Sequence, residues 1–259
     1  MRELSSLKNP VVQSARTLQT ARGRAEQSSF LLDGEHMVAE ALSACPERVS
    51  ALFVDADKLD GYAALLARAK AQTAVYSVPE HVLAAISQVK TPQGIAAVCG
   101  LPAPSAPEML GNRLMLLENV QDPGNVGTIL RTLDAAGFDG CILTPGCADA
   151  YAPKTLRATM GSVFRVPMAF AGDAAQAVAG LNLRGYATIG AALDGEPFYG
   201  RGPLPEKLCV LIGNEGAGLT EQALAACTHR YRLPMRGGAE SLNAAIAAGV
   251  FMYELMNHR

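Results

Sequence analysis

Two hydrophobic spacings alternate along the chain. Between residues 9 and 27 apolar positions recur at helical intervals, and the short apolar run FLLDG that follows has the length of a strand. The same switching predicts a helix over EHMVAEALSAC, a strand at ALFVD and a helix over GYAALLARAKA. A strand at TAVYSV, a short helix in PEHVLAAIS and a strand at GIAAVCG complete a small α/β region. The stretch GLPAPSAPEMLGN, residues 100–112, then breaks the pattern, because Pro102, Pro104 and Pro107 preclude a regular helix or a central strand. Beyond it, LMLLEN, GCILTP, RVPMAF, ATIGA and LCVLIGN are apolar without alternation, as strands of a parallel sheet covered on both faces should be. A final helix is expected from Leu242 to about Asn257. Its Ala244, Ala245, Ala247, Ala248 and Gly249 would let another backbone approach closely, within the chain or from a second subunit.

The expected fold class is therefore α/β: a small front domain over 1–105, a proline-rich linker at 106–112 and a second domain with a mostly parallel sheet over 113–259. A length of 259 residues gives each domain enough chain to bury its own core. Composition changes the picture in three ways. With 49% hydrophobic and 18% charged residues the chain reads as globular rather than disordered. There is no uninterrupted apolar run of about eighteen residues to span a membrane, and MRELSSLKNP lacks the apolar stretch of a secretory leader. Cys45, Cys99, Cys141, Cys147, Cys209 and Cys227 contain no C-x-x-C pair, so reduced thiols in a cytoplasm are expected, with no metal.

The net charge of −2 argues against an indiscriminate nucleic-acid binder. Charge position softens that objection. Residues 1–24 hold Arg2, Lys8, Arg16, Arg22 and Arg24 against Glu3 alone, which makes either a phosphate-following arm or a solvated surface.

Three stretches have the residues for chemistry. In ENVQDPGNVGTILRTLDAAG, residues 118–137, a strand exits through a Pro-Gly turn into a helix with Val126, Ile129, Leu130 and Leu133 on its core side. Asn125 stands where it would either cap that helix or face a ligand. Arg131 shares a side with Gly124, Gly127 and Thr128, and is either a solvated charge or a fork for phosphate and ribose oxygens. In VLIGNEGAGLT, residues 210–220, a strand ends at Gly213, and Gly216 and Gly218 open a loop. Neither the Walker pattern nor the dinucleotide fingerprint fits it. Glu215 would repel pyrophosphate and suit a cationic or hydroxyl-rich ligand, whereas the plain alternative is a tight turn. In LPMRGGAESLNAAIAAG, residues 233–249, Ser241 and Asn243 either cap the last helix or present polar groups to a ligand.

All three stretches follow strands, so they are expected to converge beyond the carboxyl ends of one sheet. His36, His81, His229 and His258 form no Ser-His-Asp set, and His229 reads as structural. What remains is a metal-free pocket of Asn, Arg, Glu and Ser, suited to orienting two substrates.

Together the stretches resemble the SpoU (TrmH-type) family of RNA ribose 2'-O-methyltransferases of the SPOUT class. The family's N-x-x-G-x-x-x-R segment has its counterpart in Asn125, Gly127 and Arg131, at slightly different spacing. Its G-N-E-G-x-G-L matches Gly213 to Leu219, and its P-M-x-G-x-x-x-S-L-N matches Pro234 to Asn243. The front region, with SLKNPVVQ, FLLDGEHMVAEAL and TPQGIAAV, is similar to the substrate-binding domain of rRNA-directed members, a fold like that of an RNA-binding ribosomal protein.

The resemblance implies a trefoil knot in the second domain, S-adenosylmethionine as cofactor, a homodimer and RNA, most of all rRNA, as substrate. It implies cofactor contacts from Gly213, Leu233 and Leu242, with main chain of Ile212, Glu215 and Met235. Arg131 would act on the ribose hydroxyl while Asn125, Glu215, Ser241 and Asn243 hold the geometry. Because an arginine remains protonated below about pH 12, Arg131 reads better as an orienting, charge-stabilising group than as a base. Two alternatives stay open: a tRNA 2'-O-methyltransferase, and a non-catalytic RNA-binding or ribosome-assembly factor. Intact motif residues argue against the second, and the separate front domain favours a larger RNA over tRNA.

Overall fold

The computed structural model describes residues 1–87 and 92–256. Thr91 of TPQGIAAV, Asn257 at the expected end of the last helix and His258 lie outside the described residues. The chain divides into two compact units, Met1–Ala103 with Asp149–Phe164, and Pro104–Ala148 with Arg165–Arg259.

In the first unit, β1 (Arg2–Glu3), α1 (Pro10–Thr17), α2 (Ala21–Gln27), β2 (Ser29–Asp33), α3 (Glu35–Ala44) and β3 (Val49–Asp55) are followed by α4 (Ala63–Leu66), β4 (Ala74–Val78), α5 (Glu80–Ile86) and β5 (Ile95–Gly100). The sheet order is β1-β4-β3-β5-β2, parallel from β1 to β3 and antiparallel across β5.

Two expectations need correction. The single helix over 9–27 is two. Asn9 caps α1 by accepting from the Val11 amide at 2.9 Å, and Thr20 caps α2 by accepting from the Gly23 amide at 3.1 Å. At Gly23 a Cβ would lie 2.0 Å from the Thr17 carbonyl oxygen, so glycine is what lets the second helix turn against the first. The helix expected over GYAALLARAKA shrinks to the four residues of α4. Asp55 accepts from the Asp57 amide and starts a 3-10 stretch over Ala56–Tyr62 that uses up the front of the segment. Val12 and Leu18 of the first helical region pack with Phe53, Tyr76, Val82 and Ile86 as this unit's core.

The second unit begins with β6 (Arg113–Leu117), α6 (Pro123–Ala136) and β7 (Gly140–Leu143). The chain then contributes α7 (Pro153–Thr159) to the first unit, where Tyr151 packs on Phe30 with ring centroids 4.9 Å apart and Arg24 Nε donates to Asp149 at 2.9 Å. It re-enters the second unit as β8 (Met168–Phe170), α8 (Ala174–Leu183), β9 (Ala187–Pro197), β10 (Leu208–Ile212), α9 (Glu221–Ala226), β11 (His229–Arg232) and α10 (Ala244–Met256). The six strands run in the order β11-β9-β10-β6-β7-β8 and every pairing is parallel.

Burial explains the apolar runs: all five residues of β6 and all five of β10 are buried, so neither strand keeps a polar face. Strand β10 returns to lie beside β6, with Leu208 opposite Arg113 and Ile212 opposite Leu117. The strand order therefore reverses between β6 and β10, the crevice where open α/β sheets hold ligands. Helix α10 closes the unit by packing on α6 and β10. No helix among the described residues is long and apolar enough to cross a membrane.

Candidate active site

The loops that leave β6, β10 and β11 at their carboxyl ends meet through side chains. Helix α6 starts with Asp122 as its cap, its carboxylate accepting from the Asn125 amide at 2.9 Å. Asn125 is thus inside the first turn rather than the cap. Its side chain is released for tertiary work: Nδ2 donates to Glu215 Oε1 at 2.9 Å, and Oδ1 accepts from Asn243 Nδ2 at 2.9 Å. Asn243 is in turn the cap of α10, its Oδ1 accepting from the amides of Ala245 at 2.9 Å and Ile246 at 3.3 Å. Capping therefore falls to Asn243, and Ser241 is exposed in the loop before it.

Glu215 gathers three donors. Besides Asn125, the main-chain amides of Asp122 at 3.1 Å and Gln121 at 3.2 Å reach its two oxygens. Burial pushes the Glu215 carboxyl up, but the bond from Asn125 and those from main-chain amides, including its own, outweigh it and hold the group below the usual glutamate value. The carboxylate stays ionised, and it fixes the turn before α6 to the glycine loop.

The glycine loop is also braced from within. Asn214 and Gly218 pair through both main-chain bonds, and Asn214 Oδ1 accepts from the amides of Gly216 and Ala217, each at 3.0 Å. Only glycine fits at the pinch: a Cβ on Gly213 would lie 2.2 Å from the Gly218 carbonyl carbon. Gly218 has φ +71°, the left-handed region. The loop's far end is held by Glu118, a buried carboxylate that accepts from the Thr220 amide and hydroxyl, both at 2.8 Å.

These contacts wall a cavity of about 390 Å³. Ile212, Gly213, Glu215, Leu233, Met235, Ser241 and Leu242, each singled out above, all line it, together with Leu219, Tyr231 and Phe251. Asn125 and Asn243 are outside the wall and joined to it by hydrogen bonds. Arg131 is exposed on α6, has no partner among the described residues, and is not part of the wall. Charged residues at the cavity are Asp194, Glu215 and Glu221 against Arg232, whose Nη1 donates to the Gly195 carbonyl at 2.6 Å. The balance is acidic and suits a cationic ligand.

Sequence reasoning missed Glu118, Asp122 and Asn214. Glu118 directly follows the apolar strand β6, and the clue was a carboxylate joined to so apolar a run, where it needs partners. The other two look like ordinary turn residues. His229 opens β11 and stacks on Tyr231 with centroids 5.6 Å apart, a packing role.

A parallel sheet whose switch-point loops interlock around an acidic, half-apolar cavity defines an α/β domain built to bind a small cationic ligand. The family is then clear. Residues 112–253 match the SpoU rRNA Methylase family, and the chain belongs to it. Residues 9–97 match the MRM3-like substrate binding domain. The chain is 35% identical to the 23S rRNA (guanosine(2553)-2'-O)-methyltransferase RlmP of Bacillus subtilis, covering 98% of this chain and 99% of that protein. It is 29% identical to the 23S rRNA (uridine(2479)-2'-O)-methyltransferase of Streptomyces viridochromogenes, over 91% of this chain and 85% of that one. Among solved structures, an AdoMet-bound rRNA methyltransferase from Sinorhizobium meliloti superposes with a TM-score of 0.85 at 32% identity, covering 99% and 97% of the two chains.

Proposed function

We propose that the chain transfers a methyl group from S-adenosylmethionine to a ribose 2'-hydroxyl of RNA, with rRNA as the substrate class. One observation carries the reading: seven residues drawn from two loops distant in sequence line a single cavity, and the Glu215–Asn125–Asn243 bonds lock those loops to the first turn of α6. The cavity suits the cofactor chemically. Ile212, Leu219, Leu233 and Phe251 offer apolar surface to a flat base, and the acidic excess complements a sulfonium and an amino group. Bound there, the sulfonium supplies a methyl group that is electrophilic without a metal.

This chain's residues then have to place an oxygen in line with that methyl group. Glu215 stays anionic and holds the first turn of α6 in place. Helix α6 presents Arg131 to solvent, free to engage ribose and phosphate oxygens of an incoming RNA and to stabilise charge developing on the 2'-oxygen. The family's trefoil threading accords with the return of α10 onto α6 and β10. A homodimer formed through α10 has support from Ile246 and Tyr253, apolar residues left 57% and 47% exposed along it. The unit containing residues 9–97 is the part proposed to grip the RNA, and the site to be cytoplasmic, where rRNA is made and modified.

The test is incubation with methyl-labelled cofactor and separated rRNA and tRNA pools, followed by mapping of ribose methylation. Label confined to rRNA is expected. Label confined to tRNA changes the substrate class, and no label in either pool returns the chain to a non-catalytic RNA-binding or ribosome-assembly role.

A further inference from the structure

A second hollow, of about 260 Å³, lies at the other end of the parallel sheet. Its floor is where β6 and β10 begin, at the register partners Arg113 and Leu208, while the methyl-donor cavity is at the Ile212 end. Segment 200–205 forms one wall, and Glu254 and Leu255 of the last turn of α10 form the other.

Two buried guanidiniums share this space. Arg113 is 7% exposed, and its Nη1 donates to the Leu255 carbonyl at 2.9 Å. Its Nε and Nη2 have no partner among the described residues. Because no polar side-chain atom there is buried without a partner, those N–H groups open onto the hollow. The Arg201 side chain is 6% exposed; Nη1 donates to the Phe198 carbonyl at 2.9 Å, and Cζ sits 3.8 Å above the Phe198 ring. Among the described residues that line the hollow, one carboxylate answers them: Glu254 Oε1 is 3.8 Å from Arg201 Nη1, beyond hydrogen-bond length. The carbonyl end of α10 adds about half a negative charge, which leaves the hollow net positive.

A buried guanidinium without a full countercharge is costly, and its N–H fork matches the oxygens of phosphate and carboxylate. We propose that this hollow binds a small oxyanion, a phosphate- or carboxylate-bearing ligand, separate from the methyl-transfer site. At about 260 Å³ the hollow suits a compact ligand, and Pro203, Leu204 and Pro205 share its lining with the two guanidiniums. A nucleic-acid strand passing across would instead need cations along the surface.

Titration calorimetry on the full chain, at constant ionic strength set with sodium chloride, tests this with inorganic phosphate and with citrate as probes. Saturable one-to-one binding of at least one probe is expected, and whichever binds names the ligand's oxyanion. Gly202→Asp places a competing carboxylate at the wall. A Cβ there meets nothing within 4 Å, so the fold tolerates it, as a thermal melt will verify. That variant and Arg201→Gln are each expected to weaken binding at least tenfold. Glu254→Gln, which removes the native competitor, is expected to tighten it several-fold. Binding unchanged in Gly202→Asp, or no saturable heat with either probe, overturns the proposal. So does a short RNA whose binding is lost in Gly202→Asp while phosphate and citrate do not bind, because the hollow is then an RNA contact.

Discussion

Glu118 and Glu215 each close the loop that carries the other. Glu118, at the exit of β6, accepts from Thr220 at the far end of the glycine loop, and Glu215, inside that loop, accepts from Gln121 and Asp122 just beyond Glu118. Each carboxylate lies at the start of a helix, where free amides and the helix dipole favour a negative charge. Two crossovers of the sheet are thereby tied into one wall.

Removing one strap should loosen the wall. Glu118→Gln turns an oxygen that accepts into a group that donates toward Thr220, within a buried site. A loss of about 2–3 kcal/mol is expected from losing hydrogen bonds to a charged group, read as a lower urea midpoint at unchanged slope. An unchanged midpoint would show the strap to be idle.

Glu215 makes a pH signature. Its folded value lies below the ordinary glutamate value of about 4.3, so its stabilisation is present above that pH and is lost as pH falls through the depressed folded value. The gap in urea midpoint between the parent chain and Glu215→Gln should hold constant from about pH 7 to pH 5 and shrink below about pH 4.3. A gap that widens on acidification would reverse the sign assigned to this group.

Glycine at 213 is a matter of contact distance. Gly213→Ala puts a methyl group 2.2 Å from the Gly218 carbonyl carbon, so the loop must shift, and cofactor affinity should fall about a hundredfold or more. Gly237→Ala meets nothing within 4 Å and should bind cofactor as the parent does. Equilibrium binding of S-adenosylmethionine compares them, and equal affinities would refute the contact argument.

Arg131 is exposed and unpartnered, so its replacement should spare the fold. Arg131→Lys is expected to keep its melting temperature and cofactor affinity while turnover on RNA drops about a hundredfold, the scale of one lost transition-state contact. Near-parental turnover removes Arg131 from the chemistry.

The exposed pair Ile246 and Tyr253 on α10 tests the dimer. Ile246→Asp places a charge on it and should shift sedimentation from dimer toward monomer. A parent chain that is monomeric at all concentrations would eliminate that interface.

Much of this was legible in one dimension. The apolar runs of β6 and β10, buried along their whole length, announce parallel strands; Asp122-Pro123-Gly124 marks a helix start; and the motifs of 213–219 and 234–243, with Ile212 and Leu233 just before them, name seven of the cavity's residues. These are local matters of spacing and chain stereochemistry, which a sequence contains directly. The division of labour among its polar residues was not legible. Asn125 and Ser241 look like caps, yet Asp122 and Asn243 do the capping, which frees Asn125 to bridge Glu215 and Asn243 across 90 and 118 positions of chain. A carboxylate or amide satisfies its hydrogen bonds with whatever donors the fold delivers. The partners of Glu118, Asn125 and Glu215 are therefore set by which loops the sheet order β11-β9-β10-β6-β7-β8 brings side by side, and only the tertiary structure decides that.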